Sequence, residues 1–464
     1  MTTTKKRFIL LFASTQLLLT VILLALPQIL MRLPTRYQLV LADNATILEP
    51  VFAAIKTPLP NTLPVPSGAL ANTGGAMPIL DFAPTATHAP TFIPTATSTP
   101  TPLFTTTPQP TTIETIRPTL TSTATPIPEV TPTSLPLPTT IPNQKTIADV
   151  HITRQNFNNC GPANLSIVLN YWGDDTTQLE AASFLKPNPE DRNVSPWQLS
   201  DYVNENTLLR STVHSGGNIE MLRTFVAAGI PVIVEKGYIP SPDEGWLGHY
   251  LTVFGYDDTT RSFRSHDTYI GPFSGEGRID SYSDLEKGWQ AFNYTFFVIY
   301  RPDQEALVQS ILGPDLVEPL KMWQQTALIA QSEIEADNEN AFSWFNLGTS
   351  LTRLGELTGD NNYYQQGAAA FDQAFLLGIP PRVVWYQFRP YIAYMKTGRY
   401  NDMLELANST LQTTGGRNVE ETYLYKGHAL AFLGDIAGAK TAYERGLELN
   451  RNAYPIQWAL DSLQ

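Results

Sequence analysis

The chain holds one cysteine, Cys160, in the stretch Arg154-Gln155-Asn156-Phe157-Asn158-Asn159-Cys160-Gly161-Pro162-Ala163-Asn164-Leu165. A lone cysteine has no internal disulfide partner, so it is not a structural staple. The turn-forming Asn156, Asn158 and Asn159 precede it, and Leu165, Val168, Leu169 and Trp172 follow at helical spacing. That spacing predicts a helix that opens at the cysteine. A thiol at a helix start faces the positive end of the helix dipole, which favours the nucleophilic thiolate. Stripped of context, the same residue would be a small buried apolar side chain.

A base and a carboxylate stand downstream. Gly248-His249-Tyr250-Leu251-Thr252-Val253-Phe254-Gly255-Tyr256-Asp257-Asp258 alternates like a strand, and Arg261-Ser262-Phe263-Arg264-Ser265-His266-Asp267 returns. The pair predicts a hairpin turning at 257–260. Alternation places His249, Leu251, Val253 and Gly255 on one face, and the hairpin can carry Asp267 alongside His249. Cysteine, histidine and carboxylate make a nucleophile, a base and a group that orients the base. Asp257 and Asp258, at the turn, are rival orienters. The amide of Gln155 can donate to an oxyanion.

Gln155…Cys160-Gly161-Pro162-Ala163, then Gly248-His249-Tyr250…Gly255-Tyr256-Asp257, then Asp267, resembles the bacteriocin-processing type of papain-like cysteine peptidase, and more closely its bacterial peptidase-like branch. Three blocks appear in the family's order over about 143–301. The resemblance implies Cys160 as nucleophile, His249 as general base and acid, Asp267 as orienter and Gln155 as oxyanion donor. One position departs: members often carry proline after the carboxylate, and here Thr268 follows Asp267.

This region, 143–302, is read as helices at about 161–172, 177–186, 196–205 and 218–228. A buried strand at 231–235, the hairpin and an aromatic strand near 294–300 follow. Helices first and antiparallel strands later predict an α+β layer arrangement, the order a papain-like fold has.

Upstream, Lys5, Lys6 and Arg7 precede an apolar run from Phe8 to Met31. At about 1.5 Å per residue it can cross a hydrocarbon core of about 30 Å, and the basic flank sets its N-terminus in the cytoplasm. Residues 1–35 are therefore expected to be a cytoplasmic flank and a retained single-pass transmembrane anchor, the C-terminal domains lying outside the cytoplasm. A cleaved signal, releasing a secreted protein, is the alternative. Residues 36–83 carry no clear pattern. Residues 84–142 are rich in Pro and Thr, with Glu114, Arg117 and Glu129 as their only charges. Proline resists helix and sheet, and apolar residues are too few for a core. The tract is expected to be a disordered stalk whose composition also suits O-glycosylation.

Beyond Pro302 the pattern turns helical. Trp344-Phe345-Asn346-Leu347-Gly348 with Leu351, Phe371 and Ala374 begins it. Tyr394, Gly398-Arg399-Tyr400, Ala407 and Leu411 follow, and then Tyr423, Gly427, Leu430, Gly434-Asp435, Ala439, Tyr443 and Gly446. The period of about 34 residues resembles tetratricopeptide repeats, with an insertion around 355–362. That resemblance implies an all-α solenoid over 303–464 that binds a protein or peptide; a stack that only packs on the preceding domain is the plainer alternative.

The formal net charge of −13 in 464 residues, with no clustered basic face, argues against a nucleic-acid partner. The histidines at 88, 151, 214, 249, 266 and 428 show no ligand spacing, so no metal or other cofactor is expected. The leading expectation is an exported, membrane-tethered cysteine hydrolase, a peptidase working through an acyl-enzyme, with a peptide or protein substrate. Its rival is a catalytically silent papain-like scaffold that acts as a protein-binding module.

Overall fold

The computed structural model describes Gln16 and residues 63–66, 141–241, 244–413 and 415–463. Apart from Gln16, the apolar run at 8–31 lies outside these residues, as do most of 36–83 and all but the last two residues of the tract 84–142. Among the described residues no helix is long and apolar enough to cross a membrane. The chain divides into two units, Ile79–Thr133 and the remainder, and every described residue belongs to the remainder.

The first part of that unit is α+β. Its strands are β1 (Gln144–Thr146), β2 (Arg210–His214), β3 (Val232–Tyr238), β4 (Leu247–Asp257), β5 (Ser262–Asp267), β6 (Arg278–Ser281) and β7 (Phe296–Tyr300). They form one antiparallel sheet in the order β2-β7-β3-β4-β5-β6, with β1 added on the far end of β4. Helices α1 (Cys160–Tyr171), α2 (Gln178–Leu185) and α3 (Pro196–Asn206) cover one face. There Leu165, Val168, Leu169 and Leu199 meet Ile233, Tyr250, Phe297 and Ile299. On the other face, α4 (Ile219–Ala227) and α5 (Tyr282–Gln290) bring Leu222, Phe225, Leu285 and Trp289 against Val232, Val234, Leu251, Val253 and Val298. Layers on both sides explain why the inner strands β3 and β7 read as continuous apolar runs.

The sequence reading passes over β1, β2, β6 and α5. Each is short, and β2 is a polar edge strand, Arg-Ser-Thr-Val-His, that alternation alone does not distinguish from loop. α5 buries Tyr282, Leu285 and Trp289 at i, i+3 and i+7 behind the cap of Ser281, whose hydroxyl accepts from the Asp284 N–H.

The second part is helical: α6 (Glu305–Val317, broken at Gly313), α7 (Pro319–Ala336), α8 (Ala341–Thr358), α9 (Asn361–Leu376), a 3₁₀ turn Pro381–Trp385, α10 (Arg389–Lys396), α11 (Tyr400–Gln412), α12 (Glu420–Phe432), α13 (Ile436–Leu449) and α14 (Tyr454–Asp461). The pairs α8/α9, α10/α11 and α12/α13 stack in sequence order. The segment read as an insertion at 355–362 mostly lengthens α8, which closes on Gly359 in the left-handed conformation, φ 73°. Close helix approach decides one residue type in particular. A Cβ on Gly427 would lie 2.1 Å from Tyr443 Cε1. Gly427→Val is accordingly expected to lower stability by about 2–3 kcal/mol through overpacking, read as a fall in the denaturant midpoint at unchanged slope.

The two parts pack on each other. Asn293 Nδ2 donates to Ser350 Oγ at 3.0 Å, and Gln387 Nε2 to the Ala291 carbonyl at 2.8 Å. Asn193 Nδ2 reaches Glu421 at 3.2 Å, and Asn450 Nδ2 the Leu185 carbonyl at 3.1 Å.

Candidate active site

The loop before α1 is held from several sides. The Asn156 N–H donates to Gln178 Oε1 at 2.8 Å, and Gln178 Nε2 returns to the Arg154 carbonyl at 2.8 Å. Lys186 Nζ donates to the Asn158 carbonyl at 3.0 Å, and Arg192 Nη1 to Asn158 Oδ1 at 3.1 Å. Asn158 takes a left-handed backbone, φ 57°, which asparagine tolerates better than most residues. Cys160 then opens α1. No side chain caps this helix and no acid sits in its first turn, so nothing there offsets the dipole at the half-buried thiol.

Asn164, one turn into α1, pins the helix to the sheet. Its Nδ2 donates to the carbonyls of Cys160 and Tyr250, both at 2.9 Å, and its Oδ1 accepts from Thr252 Oγ1 at 2.8 Å. Because Tyr250 and Thr252 lie on β4, these bonds set the distance between Cys160 and the strand that carries His249.

His249 and Asp267 are both buried, and His249 Nε2 lies 3.0 Å from Asp267 Oδ1. In the β4–β5 register Asp267 faces Leu251, so histidine and aspartate meet across a diagonal of two residues. Asp267 ends its strand, and the same Oδ1 accepts the N–H groups of Tyr269 and Ile270, each at 3.0 Å. His249 and the Cys160 thiol lie close enough for each to act on the other's ionisation. With Nε2 turned to Asp267, the nitrogen facing sulfur is Nδ1.

The electrostatics follow from this chain of contacts. Burial pushes the Cys160 thiol up, but its hydrogen bond to His249, the charge of that imidazole, the Tyr250 backbone and Lys186 together hold it below an ordinary thiol. Burial pushes His249 down; the charge and hydrogen bond of Asp267 and the contact with Cys160 outweigh it and raise His249 to about 9. Burial likewise opposes ionisation of Asp267, while His249 and the Ile270 and Tyr269 amides bring it down to about 2. These directions favour a thiolate–imidazolium pair beside a carboxylate, an arrangement chemically suited to attack on a carbonyl.

Gln155 sits against Thr268. Its N–H donates to the Thr268 carbonyl at 3.0 Å, and its Oε1 accepts from Thr268 Oγ1 at 2.8 Å. With Oε1 so engaged, Nε2 is the end left to donate. Thr268 Oγ1 also accepts from Asn164 Nδ2 at 3.3 Å. The threonine that departs from the family's proline thus supplies a hydroxyl that holds Gln155 and joins it to Asn164. The rival carboxylates are engaged at the hairpin turn: Asp257 accepts the Thr259 N–H at 2.8 Å, and Asp258 pairs with Arg223 and accepts from the Tyr282 hydroxyl.

Sequence reasoning misses two neighbours of the thiol. Glu235, opposite Tyr250 in the register, is buried; desolvation first, and the charge of Cys160 second, push its carboxyl well above the usual range. A single acid in the apolar run Pro231-Val232-Ile233-Val234-Glu235 was the available signal. Tyr386 comes from the helical part and packs on Gly248. A Cβ there would meet its ring at 3.0 Å and Phe292 Cζ at 2.6 Å, so the residue before His249 must be glycine. Arg382 of the same 3₁₀ turn donates to the Trp246 and Glu244 carbonyls. The charge of Cys160 contributes to raising Tyr386 to about 12, second to burial, so the ring lies near the nucleophile. Nothing in the sequence pairs residue 386 with residue 248.

Comparison with known proteins adds a family for part of the chain. The profile described as the Peptidase_C39 like family matches residues 147–296. Among solved structures, a C39-like peptidase from Bacillus anthracis is similar at 16% identity, over 34% of this chain and 98% of that one, with a TM-score of 0.29. Xylellain, a cysteine protease from Xylella fastidiosa, is similar at 13% identity, over 36% and 91% of the two chains, with a TM-score of 0.25. No curated protein matches.

Proposed function

We propose that the chain is a cysteine peptidase that works through an acyl-enzyme on Cys160. The observation that carries this is the buried His249–Asp267 hydrogen bond beside Cys160, which opens a helix. The thiolate attacks an amide carbonyl, and the oxyanion lies against Gln155 Nε2 and the Cys160 N–H. The His249 imidazolium gives its proton to the leaving amine, which departs and leaves a thioester. The thiolate charge is then gone, so one contribution that raised His249 is lost with it, and the neutral ring accepts a proton from water. The resulting hydroxide attacks the thioester, the carboxylic product leaves, and the thiolate–imidazolium pair is restored.

The reading extends to location and partners. The basic flank at 5–7 and the apolar run at 8–31 support a single-pass anchor with the catalytic part outside the cytoplasm. The stacked pairs α8 to α13 support a tetratricopeptide-like surface for a protein or peptide partner.

Labelling with a peptide-like thiol-reactive probe, with mass spectrometry of the product, tests the catalytic reading. Modification is expected at Cys160, already rapid at a pH well below that at which a free thiol reacts. Peptide turnover is expected to fall on the alkaline side near pH 9 as His249 loses its proton. A labelling profile that follows an ordinary thiol would remove the activated nucleophile.

A further inference from the structure

We infer that the face of α11 is a docking site for an extended proline-containing segment, and that its occupant is this chain's own Leu63-Pro64-Val65-Pro66. The segment lies beside that helix: Leu63, Pro64 and Val65 line one cavity together with Asn401, Leu404, Glu405, Asn408, Ser409 and Gln412. Leu63 is 3% exposed and belongs to the buried cluster that includes Met403, Leu406 and Ala407, whereas Val65 is 39% exposed. Pro66 is buried again. Leu63 and Pro66, both buried, are three residues apart, the spacing that a polyproline II helix would put on one face. Two prolines in four residues fix φ before docking, so little backbone entropy is lost on binding. A polyproline II segment leaves its carbonyls unpaired, and the amide side chains of Asn401, Asn408 and Gln412 are the right chemistry to meet them. The inference does not depend on the peptidase reading.

The test uses the full chain in detergent with Cys160→Ala, which removes the native thiol. Val65→Cys and Asn408→Cys are joined by a short bis-maleimide, and cross-linking is read as fragments that stay together after proteolysis of the tract. Cross-linking is expected to be at least tenfold faster than in a control pair of Val65→Cys with Gln457→Cys, and to fall to the control rate with Leu63→Asp. An unfolding midpoint close to that of the parent chain is the control that the repeats stay folded with this change. As a second readout, hydrogen exchange in the otherwise unmodified chain is expected to show faster exchange in α11 with Leu63→Asp. Cross-linking at the control rate, or rates and exchange unmoved by Leu63→Asp, would overturn the inference.

Discussion

Replacing Cys160 by alanine is expected to abolish peptide turnover, a fall on the order of 10⁵-fold, with the fold unchanged. The side chain is half-buried and its β-carbon is kept, so the substitution leaves little void. The helix is held by Asn164 through backbone carbonyls, which the change does not touch. Cys160→Ser is expected to be nearly as inactive, because a hydroxyl gives no accessible anion near neutral pH even beside His249. The measurement is kcat/KM on a peptide pool that the parent protein cleaves, with the unfolding midpoint as control. Full turnover in the serine variant would remove the mechanism. A parent protein without any turnover, but with a bound partner, would leave the domain as a scaffold.

The second large effect is expected from Asp267→Asn. The single oxygen Oδ1 takes the bonds from His249, Tyr269 and Ile270, and an asparagine carbonyl can take the same three. The substitution therefore isolates the charge. Without it His249 loses the largest contribution that raises its pKa, burial dominates, and the imidazolium form gives way at lower pH. The alkaline limb of turnover is expected to move from near 9 toward neutrality, and kcat to fall by roughly 10²–10⁴-fold. The asparagine NH₂ would replace Oδ2, which has no hydrogen-bond partner and lies 3.8 Å from Arg278 Nη1, so some local readjustment is expected there. Undiminished turnover with the limb in place would exclude Asp267 as orienter. Loss of turnover in Asp257→Asn instead would move that role to the turn.

The site and the fold were legible to different degrees, for physical reasons. Cys160 at a helix start and His249 on a strand are local patterns, one of helical period and one of alternation, and the structure has the helix opening at Cys160 and His249 on β4. Asp267 needed the hairpin register, which the turn at 257–260 suggested; the diagonal pairing itself depends on where the strands slip past each other, at the irregularity between Val253 and Gly255. Asn164 looked like one more residue of a motif, because its three partners lie on other elements. Glu235 was visible as an acid among aliphatics, but the rise of its pKa depends on burial and on the nearby thiol. Tyr386 and Arg382 could not be foreseen, since sequence periodicity carries no information about which helical turn meets which strand. Short polar elements such as β2 failed for a simpler reason: four or five residues give too few periods to count.

The contact of the 3₁₀ turn with the start of β4 bears on where this protein can be cut. A sequence-based boundary near residue 302 separates the part that matches a peptidase family from the repeats. Mechanically there is no seam at that point. Excision of 143–302 would strip Tyr386 from Gly248, take the Arg382 guanidinium from the Glu244 and Trp246 carbonyls, and lay bare the stacked rings of Trp246, three residues before His249, and Phe292. The smallest piece that preserves these contacts is the one that keeps the 3₁₀ turn and the helices around it.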